Sequence, residues 1–131
     1  MFCRVSVVSE LACAAILLTG GCSKPVEPAP SVVIEHEFSP EPPRVGLEAV
    51  TFKLADAAAR PVTGAHITIE ADMSHAGMSP QFAEAKEAES GRYQARLTFE
   101  MAGDWVMLLH VTLPSGKKLE QQIDVKGVRP N

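Results

Sequence analysis

The stretch Met73-Ser-His-Ala-Gly-Met78 places two thioethers and an imidazole within six residues. Thioether sulfur and imidazole nitrogen are donors that suit cuprous copper, whereas magnesium and calcium prefer oxygen ligands. Gly77 lets the chain fold back so that donors on either side of it can meet one ion. Met73, Met78 and Met101 fall at strand ends or in loops. Met107 differs, because it shares an apolar stripe with Trp105 and Leu109, where a methionine is a filler. Any metal held by these residues would have no thiolate, because no cysteine follows Cys22.

The residues around these donors alternate apolar and polar in short runs, broken by Gly and Pro. Val32, Ile34, His36 and Phe38 share one face of the first run, and Val50, Phe52 and Leu54 share one face of the second. Ala65, Ile67, Ile69 and Ala71 form the third stripe. A weaker run covers residues 81–87, and its Ala, Glu and Lys content suits a helix by propensity. Its brevity and its place between other strands still favour a strand. Tyr93, Ala95, Leu97 and Phe99 give the fifth stripe, and Trp105, Met107, Leu109 and Val111 the sixth. Leu119, Ile123 and Val125 give the last, interrupted by Gln121. Period-two alternation means half-buried strands. Seven of them in this length predict an all-β, immunoglobulin-like β-sandwich.

Successive antiparallel strands reverse direction, so alternate connections lie at one pole. With the end of the first strand taken as the upper pole, the loops holding Met73, His75, Met78 and Met101 belong there, with His36 close by. His66 and His110 fall toward the lower pole. His66 reads as a solvated strand residue and His110 as a structural one. His36 lies on the inward stripe, where a core histidine and a ligand are both open readings.

The first residues read as an export signal. Arg4 precedes the apolar run Leu11-Ala-Cys-Ala-Ala-Ile-Leu-Leu18, and Thr19-Gly-Gly-Cys22 follows it. Leu18-Thr-Gly-Gly-Cys22 resembles a bacterial lipobox, in which the thiol of Cys22 is lipidated. The expected organisation is a lipoprotein signal peptide over 1–21, a lipidated Cys and Pro-rich tether over 22–31, and one domain over 32–127. Pro25, Pro28 and Pro30 make the tether extended and semi-rigid. The chain is then anchored in the cell envelope, outside the cytoplasmic membrane. Cys3 and Cys13 leave with the signal, so packing rather than disulfides must hold the domain.

Lys and Arg total 12 against 16 Asp and Glu, a net charge of −4, and loss of residues 1–21 removes one of each sign. A mildly acidic domain without a basic stripe is not expected to bind nucleic acid. It also has no electrostatic reason to lie on anionic lipid.

Pro61-Val-Thr-Gly-Ala65, Met73-Ser-His-Ala-Gly-Met78, Gly91-Arg-Tyr93 and Met101-Ala-Gly-Asp-Trp105, in that order and spacing, resemble the YtkA-like domain, which is related to the FixH family. The resemblance runs from about Val50 to Val125. It implies an immunoglobulin-like sandwich outside the cytoplasm and a link to copper handling or to assembly of respiratory copper centres. It also implies a Met- and His-rich loop where Met73, His75 and Met78 stand.

Two functions follow as expectations. The first is a copper(I)-binding carrier that holds the ion with Met73, His75 and Met78, completed by Met101 or His36, for delivery to a copper-receiving protein or transporter. The second is a metal-free interaction module that presents its methionines to a transporter or efflux adaptor. An enzyme is the least expected class. No Gly-rich phosphate loop and no Ser-His-acid spacing occur, and Ser74 and His75 point to opposite faces of an extended chain.

Overall fold

Each run of alternating side chains forms a strand in the computed structural model, which describes residues 31–75 and 77–131. The strands are β1 (Val32–Ser39), β2 (Gly46–Asp56), β3 (His66–Met73), β4 (Gln81–Glu89), β5 (Arg92–Phe99), β6 (Gly103–Thr112) and β7 (Lys118–Val128). No helix occurs among the described residues. The expected leader, Cys22 and nearly all of the tether lie outside them. The last strand runs to Val128, one residue past the expected domain end.

Every pairing is antiparallel, in the order β1-β2-β5-β4-β3-β6-β7. The sheet curls into an immunoglobulin-like sandwich of β1-β2-β5 against β3-β6-β7. β4 belongs to both layers: Gln81 to Ala85 pair with β3, and Lys86 to Glu89 pair with β5, with a register shift between Glu87 and Glu89. Helix-favouring composition thus gives way to tertiary context. Two sheet edges supply β4 with backbone partners, and Ala85 is buried between the layers.

The inward stripes meet as one core, with Phe52, Tyr93, Phe99, Ile69, Met107 and Trp105 at its centre. Trp105 and Tyr93 are nearly inaccessible. Each withdraws roughly 150–250 Å² from water, several kcal/mol at about 25 cal/mol per Å². Tyr93 also ties the β2–β3 crossover to β5. Its hydroxyl donates to the Val62 carbonyl at 2.8 Å and accepts from the Ala65 N–H at 3.0 Å. Those two bonds satisfy the polar tip of a buried ring, and burial pushes its hydroxyl pKa above the ordinary 10.0.

At the upper pole the β1–β2 loop reaches the end of β7. Val45 N–H donates to the Arg129 carbonyl and Arg129 N–H to the Pro43 carbonyl, both at 2.9 Å. With the parallel bridge between Arg44 and Arg129, these bonds tie the first connection to the end of the last strand.

Candidate metal centre

Strand register fixes the corner on which the donors hang. Met73, last in β3, pairs with Trp105 of β6. The Trp105 Nε1–H donates to the Met101 carbonyl at 3.0 Å, holding the β5–β6 turn over the ring. The ring meets Phe99 edge-on, with centroids 5.3 Å apart. Ser74 follows Met73, and both its N–H and its hydroxyl donate to the Asp104 carbonyl at 3.3 Å. His75 leaves from that anchor. Asp104 is itself fixed, since its Oδ1 accepts from the Gly127 N–H at 2.9 Å and its Oδ2 lies 3.8 Å from Lys126 Nζ. It therefore staples β6 to β7 rather than merely ending a turn.

The candidate donors stand at different depths. His75 is exposed, Met78 is half-buried against the core, and the Met101 side chain is 50% exposed. Met73, expected at a strand end, is there but belongs to the core at 6% exposure. Its Cε lies 3.4 Å from where a Cβ would stand on Gly103. Swinging that side chain out to an ion would leave a void costing roughly 2–5 kcal/mol, the scale of deleting a buried methionine. The accessible donors at this corner are therefore His75, Met78 and Met101, with Met73 as the packed floor. Two thioethers and an imidazole suit a low-coordinate cuprous ion.

His36 departs from expectation. It has the parity of Ile34 and Phe38 on β1, yet it is exposed while both of those are buried; pairing on one side only leaves an edge strand room to turn a polar ring out to water. Its ring meets Phe38 edge-on at 5.8 Å, Phe38 meets Phe99 at 6.0 Å, and Phe99 meets Trp105. Two rings thus stand between His36 and Trp105. Met101 engages the Trp105 ring through its carbonyl and is itself half exposed.

The remaining histidines lie on the outer face of β3-β6. His110 sits between Glu120, 3.0 Å from its Nδ1, and Glu70, 3.5 Å from its Nε2. His66 lies 3.4 Å from Glu84. Among the described residues no three His, Cys, Asp or Glu side chains gather closely enough to hold a metal ion.

One residue of note went unremarked in the sequence. Glu48 is 6% exposed at the upper end of β2. One of its oxygens accepts from the Arg44 N–H at 3.2 Å, and the other has no partner. Its parity with Val50, Phe52 and Leu54 was the available signal, because a carboxylate on a stripe of buried positions points inward.

Fold and corner together define an immunoglobulin-like sandwich whose loops carry soft donors at one pole. A family model described as YtkA-like matches residues 30–110, and the chain belongs to that family. It is also similar to a solved structure, the PmoD soluble domain from Methylocystis sp. (Rockwell). That alignment has 15% identity and a TM-score of 0.46, over 74% of this chain and 90% of that one. No curated protein matches significantly.

Proposed function

We propose that this protein is an exported, lipid-anchored copper(I) carrier or accessory factor in copper handling, with Cys22 as the anchor. What supports the reading is that His75, Met78 and Met101 belong to the two loops that leave the paired ends of β3 and β6, where Met73 pairs with Trp105 and the Trp105 ring holds the Met101 carbonyl. A shallow, solvent-facing set of thioether and imidazole donors binds a soft cation and releases it by ligand replacement, as a carrier must. Membership of the YtkA-like family supports the same reading.

Titration of the purified protein with Cu(I) against a competing chelator tests it. One equivalent should bind. A variant carrying His75→Ala, Met78→Leu and Met101→Leu should lose the site while keeping its fold, because none of these side chains is fully buried. Undiminished binding by that variant would reject the proposal.

A second reading, a metal-free interaction module, draws on Phe82 at 67%, Leu47 at 60% and Met101 at 50% exposure. A transporter component that binds equally well with and without chelator would favour it.

A further inference from the structure

Positive charge scattered along the sequence converges on one outer sheet face, against the expectation of no basic stripe. On β5, Arg92, Gln94 and Arg96 face outward, alternating with buried Tyr93, Ala95 and Leu97. Register sets Lys86 of β4 on one side of Gln94 and Thr51 of β2 on the other. Gln94 is therefore the centre of a cross. The two arginines lie about 7 Å away along the strand, and Lys86 and Thr51 about 5 Å away across it.

A concavity of about 580 Å³ opens over this cross. Short side chains, among them Ser39 and Ala49, line its β1–β2 side and leave the space unfilled. Two acids share the lining. Glu87 turns its carboxylate toward the Gly64 and Gly91 amides at 3.4 Å. Glu37 stands three strands from Lys86 in the same row. Glu89, across from Arg92 in the register, lines a neighbouring hollow. Among the described residues, no ion pair within 4.0 Å engages Lys86, Arg92 or Arg96.

Three cations around one amide repel each other, an arrangement that an anion relieves. Arginine forks match the oxygens of phosphate or carboxylate bidentately, and the volume is that of a small-molecule site. The opposite outer face carries Glu70, Asp72, Glu84, Glu120 and Asp124, against Lys118 and Lys126. The cations of the cross thus lie on the side of the sandwich away from that acid-rich sheet.

We propose that this face binds a phosphate-class oxyanion. Arg92 and Arg96 clamp it, Lys86 neutralises it, and the Gln94 amide and Thr51 hydroxyl set its orientation. A free phosphorylated small molecule and a phospholipid headgroup share this chemistry. Inorganic phosphate, titrated into the protein at constant ionic strength, should give saturable shifts of the Gln94 side-chain amide and the arginine Nε–H resonances. Arg96→Gln and Lys86→Gln should each weaken that binding about tenfold at an unchanged melting temperature.

Flotation with phosphatidylglycerol and phosphatidylcholine vesicles separates the two sources. Capture by the former that Arg96→Gln abolishes assigns a lipid headgroup. Saturable phosphate binding without capture assigns a free anion. Unsaturable shifts together with no capture, or binding that both variants retain at full strength, overturns the proposal.

Discussion

Replacing Gly91 by Ala should be among the most damaging single-methyl additions to this fold. Gly91 has φ of +72°, a conformation that costs an L-residue about 1 kcal/mol. A Cβ there would stand 2.6 Å from Pro61 Cβ and 3.0 Å from both Pro61 Cα and the Leu54 carbonyl oxygen. Those neighbours cannot step aside. Pro61 bridges Ala55, the Val62 N–H donates to the Leu54 carbonyl at 2.9 Å, and the Leu54 N–H donates to Gly91 itself at 2.9 Å. Forcing a methyl into a packed backbone crossing adds about 2 kcal/mol, for a total of about 3 kcal/mol. Gly116 supplies the control. It has φ of +85° with nothing within 4 Å of its Cβ position, so Gly116→Ala should cost only the conformational share, about 1 kcal/mol. In urea denaturation at equal slope, Gly91→Ala should unfold roughly 1 M earlier than Gly116→Ala. Equal midpoints would show that the crossing yields, and would refute the steric argument.

Tyr93→Phe strands the Val62 carbonyl and the Ala65 N–H and should cost about 2 kcal/mol by urea denaturation. Because burial raises the Tyr93 pKa above 10.0, its share of stability is full below pH 10.0 and declines as pH climbs through the folded value; the Phe variant should lack that decline. At the other end of the scale, the Arg60 N–H, donating to Asp56 Oδ1 at 3.0 Å, holds that carboxyl below 3.8. Its stabilisation is present above pH 3.8 and is lost as pH falls through the folded value, so Asp56→Asn should melt earlier than the parent at pH 7, and that gap should narrow as pH drops below 3.8. Trp105→Phe frees the Met101 carbonyl from its donor; loss of about 1 kcal/mol of positioning predicts Cu(I) binding roughly fivefold weaker by chelator competition, with His110→Ala unchanged. Glu48→Leu removes the unpartnered oxygen together with the one that accepts from the N–H of exposed Arg44, which water can then satisfy, and should leave stability within about 1 kcal/mol of the parent; a loss above about 2 kcal/mol would refute the reading that the buried carboxylate is poorly satisfied.

The strands were legible in the chain alone, because a side-chain period of two is a local property. Stripes such as Tyr93, Ala95, Leu97 and Phe99 declared both the strand and its buried face. Alternation of strand direction also placed Met73, His75, Met78 and Met101 at a common pole, since that needs only counting. Depth was beyond its reach. Met73 is in the core because Gly103 leaves room above it, and His36 turns to solvent between buried Ile34 and Phe38 on a strand paired on one side only; both depend on which strands become neighbours. The same holds for Lys86, Arg92 and Arg96. They become one basic face only when β4 switches layers to pair with β5, and strand pairing between distant segments is decided by packing across the whole sandwich rather than by any local pattern.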